Sequence, residues 1–349
     1  MQLPSSIPSG LWKYGHCQGI AIDTKREFMY FSFTTALIKT DLAGNVVGTV
    51  TGLLGHLGCI DFNDDDGRVY GSLEYKNDSI GQGILRRAGI DCALQTAFYI
   101  AIFDVDKITR MDMDACSDGV MTAVYLKKVV DDYTAQVQHR DKTHEHRFGC
   151  SGIDGTTFGC IPGTAERRLF VAYGIYKDTE RKDNDHQVIL CYDAADWKQY
   201  EQPLSQQNMH QSGPEKPERK FFVYTGNTTW GVQNLEYDEA TGHLLMAVYR
   251  GVKPEFPNYD LYMIDGSKPP QTAVLAGVEP ETSGEVLTLL DNGTGEPTPG
   301  WRFPHGSTGL CSLGDGRFYV SLHGQQDGLH YTNVQLFPWN EITACVKGG

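Results

Sequence analysis

The sequence predicts an all-β fold, a single five-bladed β-propeller built from four-stranded antiparallel blades. Three observations predict it: a strand–turn–strand segment that recurs five times, a second such segment that follows each copy, and small residues near the start of each first strand. Two interleaved repeats indicate a four-stranded unit, and a four-stranded sheet repeated around an axis is a propeller blade. The small residues fit because the innermost strands crowd around that axis.

The first repeat is clearest in two segments, GHCQGIAIDTKREFMYFS from Gly15 and GHLGCIDFNDDDGRVYGS from Gly55. Each has a strand, a polar turn and a second strand rich in β-branched and aromatic residues. Three looser copies follow: GIDGTTFGCIPGTAERRLFVAYG after His146, WGVQNLEYDEATGHLLMAVYR from Trp230, and HGSTGLCSLGDGRFYVSLHG from His305. We expect the five first strands to begin near residues 16, 56, 149, 230 and 306.

The second repeat predicts the third and fourth strand of each blade. Its copies are ALIKTDLAGNVVGTV, YIAIFDVDKITRM, VILCYDAADWKQY, LYMIDGSKPPQTAVL and VQLFPWNEITACV. Four of them carry an aspartate at the turn, a residue that closes turns with its own side chain: Asp41, Asp104, Asp193 and Asp265. We expect one domain over residues 1–349, with blades at about 16–51, 54–128, 146–203, 226–290 and 303–349.

Two stretches depart from the repeat. Residues 76–95 are inserted in the second blade and contain a short helical segment, ILRRAGIDCALQ. Residues 204–217 are polar and predict a surface loop. A closing strand must join the last blade to the first, and either GLWKYG near the N-terminus or ITACVKGG near the C-terminus could supply it.

The composition argues against two classes of binding partner. The net charge of −14 argues against nucleic acid and anionic membranes. No apolar run is long enough for a membrane span, and no signal-peptide pattern is visible, so we expect a cytoplasmic protein, or a secreted one whose leader is already removed. The nine cysteines form no CxxC pair or zinc spacing, which favours reduced, buried packing residues. The oligomeric state stays open.

Candidate functional residues gather at one mouth of the channel. In an antiparallel blade, the loop before the first strand and the loop between the second and third strands emerge on the same face. The first set of loops carries four histidines on four blades: His16, His56, His146 and His305. The second set carries Glu74, Tyr75 and Lys76, then Tyr176 and Lys177, then Tyr249 and Arg250, and finally His323.

The four histidines suggest a divalent metal at the propeller axis. If they converge, each could donate one imidazole nitrogen to a single ion. The sequence does not choose the metal, because no local ligand spacing is present. The alternative is that the histidines hydrogen-bond to neighbouring blades and line a wet channel.

The cations and phenols of this face suggest an acidic sugar. Glycoside hydrolysis usually needs two carboxylates, and the face offers only Glu74 and Glu145. Elimination from a uronic acid instead needs a group that neutralises the carboxylate, a base and an acid. We therefore expect Lys76, Lys177, Arg250 and Glu74 to bind substrate. The candidate acids and bases are His146, His323, Tyr75, Tyr176 and Tyr249.

The blade pattern resembles that of propeller enzymes and lectins. A histidine-lined axis with tyrosine and arginine nearby is similar to the propeller-type polysaccharide lyases, including oligogalacturonate and ulvan lyases, although no diagnostic motif of those larger propellers is matched. The resemblance implies a carbohydrate-active lyase or hydrolase acting on an oligosaccharide. Two alternatives stay open: a glycan-binding module without catalysis, and a metal-dependent oxygenase acting on a small molecule. Carotenoid-cleaving oxygenases, which hold iron by four histidines, share that one feature.

Overall fold

The computed structural model describes residues 3–91, 93–139 and 142–344, and it confirms the five-bladed propeller. The innermost strands are Cys17–Ile22, His56–Asn63, Cys150–Cys160, Thr229–Asp238 and Leu310–Ser312. Four of them begin within one residue of the predicted position, and the fifth begins four residues later. Hydrogen bonds between blades hold them together: Asn234 Nδ2 donates to the Gln18 carbonyl at 2.8 Å and Cys59 Sγ to the Thr156 carbonyl at 3.4 Å.

The second and third strands lie outward in antiparallel pairing. The second strands are Phe28–Phe33, Arg68–Tyr75, Arg167–Ile175, His243–Tyr249 and Arg317–Gln326. The third strands are Ala36–Asp41, Ala97–Phe103, His186–Tyr192, Leu261–Ile264 and Leu329–Pro338. At three of the four predicted turns the aspartate accepts hydrogen bonds from the backbone, whereas Asp104 pairs with Lys107 at 2.8 Å.

The fourth strands depart from the regular plan. They are Val46–Thr51, Met121–Tyr125, Arg219–Tyr224 and, in the fifth blade, Ser6–Pro8. Only in the first blade does the fourth strand follow the aspartate turn directly. The fourth blade has three strands, because the segment after Leu261–Ile264 crosses to the edge of the third blade. There Ser283–Val286 pairs in parallel with Arg219–Tyr224, and Gln271–Val274 pairs with Ser283–Val286. Met113–Asp114 likewise extends the first blade.

The N-terminal segment closes the ring. Ser6, Ile7 and Pro8 pair antiparallel with Gln335, Val334 and Asn333. This strand lies just before GLWKYG, whose Trp12 adds a single bridge to His330. The C-terminal alternative does not form a strand where it is described: Trp339–Ala344 is a helix, and the remainder of ITACVKGG lies outside the described residues.

Short helices and a hairpin complete the chain. The α-helices are Ser79–Arg87, Lys127–Tyr133 and Trp339–Ala344, and the 3-10 turns are Val105–Lys107, Arg147–Gly149 and Trp197–Gln199. Gln136–His139 pairs with Lys142–Glu145 in a separate two-stranded sheet. No described helix is long and apolar enough to cross a membrane. The described cysteines are free thiols, and Cys17, Cys59, Cys150 and Cys311 are buried.

Register breaks near the channel mouth set the direction of the inner side chains. Four inner strands shift against their neighbours there, between Cys17 and Gly19, Leu57 and Ile60, Cys150 and Gly152, and Thr229 and Val232. A bulge adds a residue and re-aims the side chains around it. Gly152, at φ +130°, also leaves room for a neighbour, since a Cβ there would lie 1.9 Å from Glu74 Oε2.

Candidate active site at the mouth of the channel

A cavity of about 510 Å³, here called the mouth cavity, opens where the inner strands begin. It brings together five of the predicted site residues: His16, His56, Glu74, Lys76 and Tyr249. Among the lining residues that the sequence interpretation missed are Arg87, Asp154, Trp230, Gln233 and His330. The lining residues come from all five blades and from the inserted helix.

An imidazole lies between two buried carboxyl groups at this cavity. His56 Nδ1 is 3.5 Å from Glu74 Oε1 and 3.7 Å from Asp154 Oδ1. Asp154 Oδ2 accepts a hydrogen bond from Gln233 Nε2 at 3.2 Å. The His56 side chain is 12 % exposed and that of Asp154 13 %, so both reach the cavity from a largely buried position. We call these three residues the Glu74–His56–Asp154 cluster.

Lys76 is held inside the protein and is not free for a ligand. Its Nζ lies 2.5 Å from Glu74 Oε1 and donates to the Ser151 carbonyl at 2.8 Å. Glu74 Oε2 also accepts the Ile153 N–H at 3.1 Å. The two backbone hydrogen bonds link this ion pair to the third blade. The charged groups of Lys76 and Glu74, which were predicted to bind substrate, are thus engaged within the protein at the cavity wall.

Burial favours the uncharged form of each group in the cluster. It raises the pKa of Asp154 well above its usual range, and the neighbouring Glu74 charge raises it further. It also raises the pKa of Glu74. Burial, and then the Lys76 charge, lower the pKa of His56 to about 3. Near neutral pH His56 is therefore an uncharged imidazole, and the raised pKa of Asp154 favours its protonated form, which places a proton acceptor and a proton donor 3.7 Å apart.

Three histidines meet at the seam between the first and fifth blades. The rings of His16 and His323 are 5.5 Å apart, and those of His323 and His330 are 5.3 Å apart. His330 Nδ1 and His323 Nε2 are separated by 3.4 Å, and Cys17 N–H donates to His323 Nδ1 at 3.4 Å. We call this group the histidine trio. His16 and His330 line the mouth cavity, whereas His323, a predicted catalytic residue, is not part of its lining.

Acidification should lower the stability of the closed propeller through the histidine trio. Burial lowers the pKa of His323 to about 4 and also lowers that of His16, with further lowering by the facing His330 and Arg87. The unfolded chain binds these protons near its ordinary histidine pKa, so stability is full above that pKa and is lost as the pH falls towards about 4. We expect urea unfolding of His323→Gln to depend less on pH, between neutrality and about pH 5, than the wild type does.

The control for that experiment is His305→Gln, on an exposed residue outside the trio. This variant should keep the pH profile of the wild type. The same loss of stability in His323→Gln and in the wild type on acidification would contradict a role of the trio.

Several predicted residues lie away from the mouth cavity. Tyr75 is buried between strands, where its hydroxyl donates to Gln206 Oε1 at 2.8 Å and its ring packs on Tyr99. Tyr75 therefore does not line the mouth cavity: neighbours in a strand point to opposite faces, and Glu74 and Lys76 take the channel side. Arg250 pairs with Asp260 at 2.9 Å, and Lys177 is exposed outside the cavity lining.

His146 and Tyr176 form a separate aromatic group beside the cavity. Their rings are 4.9 Å apart, and Tyr133 packs on His146 at 4.5 Å. Tyr176 donates to Asp78 Oδ2 at 3.2 Å, and its ring lies 6.0 Å from that of Trp230. Neither predicted catalytic residue lines the mouth cavity.

The four histidines predicted as metal ligands do not converge. His16 and His56 line the mouth cavity, His146 packs on Tyr133, and His305 is exposed beside Phe303. His305 lies apart because its loop continues to Leu310 before the inner strand of the fifth blade begins. Within residues 3–91, 93–139 and 142–344, no three His, Cys, Asp or Glu side chains are arranged to hold a metal ion. The predicted ligand set therefore does not fit a metal centre.

The missed residues carry weak signals in the sequence. Asp154 is the one charged residue in a glycine-rich first strand, a position where a charged residue is rarely buried without a reason. Trp230 precedes Gly231 and adopts φ +68°, an uncommon backbone conformation for a bulky residue that often marks a functional site. Arg87 lies in the insertion that departs from the repeat.

Comparisons with known proteins add little beyond the fold. No known protein-family model matches the sequence, and no curated protein matches it. The soluble aldose sugar dehydrogenase of Escherichia coli shares 9% identity with a TM-score of 0.39, over 95% of this chain and 99% of that chain. The PQQ domain of pyranose dehydrogenase from Coprinopsis cinerea shares 12% identity with a TM-score of 0.36, over 91% and 81% of the two chains. At these values the likeness carries no argument about function.

Proposed function

We propose that the protein is an enzyme that cleaves an acidic, uronate-type sugar by elimination in the mouth cavity. The observation that carries the proposal is the Glu74–His56–Asp154 cluster, in which an imidazole stands between two buried carboxyl groups beside a cavity of about 510 Å³. Trp230 and Tyr249 line the same cavity and offer aromatic surface to a sugar ring. A volume of this order accommodates a small sugar.

The cluster has two of the three groups that elimination requires, a base and an acid. Neutral His56 takes the proton next to the sugar carboxylate, and Asp154 gives its proton to the oxygen that leaves. The bond from that oxygen to the ring breaks, and a carbon–carbon double bond forms in the ring. The imidazolium and the Asp154 carboxylate produced in this way lie 3.7 Å apart and stabilise each other. Transfer of the proton from the imidazolium to the carboxylate restores both starting forms.

A panel of uronate-containing oligosaccharides tests this proposal. The product of elimination carries a carboxylate conjugated to the new double bond, which absorbs in the ultraviolet. Asp154→Asn and His56→Gln should each lower turnover by about 100-fold or more, since a positioned acid or base contributes about that factor.

The matched control is Asp61→Asn, on a partly buried carboxyl group at the opposite mouth of the channel whose pKa burial raises to about 6. This variant makes the same chemical change outside the mouth cavity and should keep wild-type turnover. Full activity in Asp154→Asn and His56→Gln, or equal loss in all three variants, would overturn the assignment.

A glycan-binding role without catalysis is the second candidate. The Glu74–Lys76 ion pair favours it, because two charged groups that are paired with each other line the cavity without being available for proton transfer. Saturable binding of an acidic oligosaccharide with no rise in ultraviolet absorbance and no new reducing ends would decide for this role.

A further inference from the structure

The inserted helix Ser79–Arg87 stands over the mouth cavity in a fixed position. It begins three residues after Lys76, and Asp78 caps it by accepting the Ile80 and Gly81 N–H groups at 3.1 and 3.0 Å. The helix starts five residues before the predicted helical segment and ends at Arg87, so it includes only the first four residues of that segment. Gly81 packs so closely on the preceding strand that a Cβ would lie 1.8 Å from the Lys76 carbonyl oxygen. Ile84 and Leu85 are buried, so the helix is anchored on both sides.

One face of this helix looks into the cavity. Ile80, Gly83 and Arg87 line it, at the spacing of three and four residues that places side chains on the same side of a helix. Gly83 leaves open space, since a Cβ there would meet only Arg87 Nη1 at 4.0 Å. Glycine inside a helix costs stability relative to alanine. The room it leaves lies between Ile80 and Arg87.

Arg87 is a cation at this cavity that has no ion-pair partner among the described residues. It is exposed, and among the described residues it makes no hydrogen bond or ion pair. The other cavity cation, Lys76, is bound to Glu74 and Ser151. The Arg87 charge still acts inside the cavity, because it contributes to lowering the pKa of both His16 and His56. A protein of net charge −14 therefore presents an unpaired guanidinium at this opening.

We propose that the helix Ser79–Arg87 is the ligand-selecting element of the mouth cavity, and that Arg87 binds the carboxylate of the ligand. The inference rests on the proposed function for the sugar class, but it concerns selection and not turnover. A guanidinium forms paired hydrogen bonds to a carboxylate, and a rigid helix holds it in place before the ligand arrives. Arg87 thereby takes the role that the sequence assigned to Lys76, Lys177 and Arg250.

Calorimetry with a matched pair of ligands tests the inference. The probes are a glucuronate-containing disaccharide and the neutral disaccharide in which glucose replaces glucuronate. Arg87→Gln should lower affinity for the acidic probe by about 10-fold or more and leave the neutral one unchanged. Arg86→Gln is the control, because it removes the same charge from the same helix at an exposed residue outside the cavity lining.

A second variant tests whether the ligand lies beneath the helix. Gly83→Leu fills the open space and should weaken binding of both probes, whereas Arg87→Gln removes only the preference for the acid. Equal effects of Arg87→Gln and Arg86→Gln would overturn the inference and leave the proposed function standing. Loss of acid preference in Arg87→Gln supports the inference even if no turnover is seen. A wild type without any preference for the acidic probe overturns both.

Discussion

Replacing Ile7 by aspartate should destabilise the closed ring more than most single substitutions in this chain. Ile7 is fully buried in the three-residue strand that completes the fifth blade, opposite Val334. The variant removes a packed side chain and introduces a charge with no partner, so we expect a loss of about 4 kcal/mol or more. Guanidinium or thermal unfolding followed by circular dichroism measures the change.

The matched control is Ser6→Asp, one residue earlier in the same strand. Ser6 is exposed, and its hydroxyl donates to Asn333 Oδ1 at 2.6 Å. The same charge at this position should cost little by comparison. Similar stability of the two variants would show that Ser6–Pro8 contributes no closing strand.

Removing Lys76 should have the next largest effect. Lys76→Met leaves Glu74 buried without its cation, and Glu74→Gln leaves the ammonium with only the Asp78 carboxylate, at 3.6 Å. Each single variant should therefore lose about 3 kcal/mol or more. The double variant restores a neutral pair and should recover much of that loss. Lys76→Met should also raise the pKa of His56, because the Lys76 charge is one cause of its lowering.

Unfolding free energies of the four proteins give the coupling between the two side chains. The His56 pKa is followed by NMR titration of its ring protons. Simple addition of the two single losses in the double variant would mean that the ion pair contributes no coupling, and an unmoved His56 titration would mean that the Lys76 charge does not reach the imidazole.

The sequence predicts the number of blades because each blade repeats the same physical requirements. Every inner strand needs small residues at the axis and a polar turn before the second strand. These features recur even where the amino acids differ from blade to blade. The fourth strands were less predictable, because an outermost strand has only one neighbour and its partner can come from elsewhere. Ser283–Val286 and Ser6–Pro8 both reach their sheets from distant parts of the chain.

The candidate site was predicted only in part for a related reason. Strand order places His56, Glu74 and Lys76 at the correct mouth, since their blade follows the repeat closely. Which side chain enters the cavity depends on alternation and on bulges, and one residue of shift moves a side chain to the other face. Alternation turns Tyr75 away from the cavity, whereas Asp154 reaches it from within a register shift between Ile153 and Thr156. Arg87 could not be predicted from the repeat, because it lies in an insertion that departs from the repeat.

Closure by the N-terminal strand also dictates an order of folding. The hydrogen bond between Ser6 and Asn333 joins residues 327 positions apart, whereas most neighbouring strands within a blade are joined by short turns. Contacts between distant residues form slowly because a long loop must be closed first. Leu329–Pro338 therefore remains an unpaired sheet edge until late in folding, and such edges readily pair with other chains. Aggregation during refolding should accordingly depend on how fast this last strand arrives.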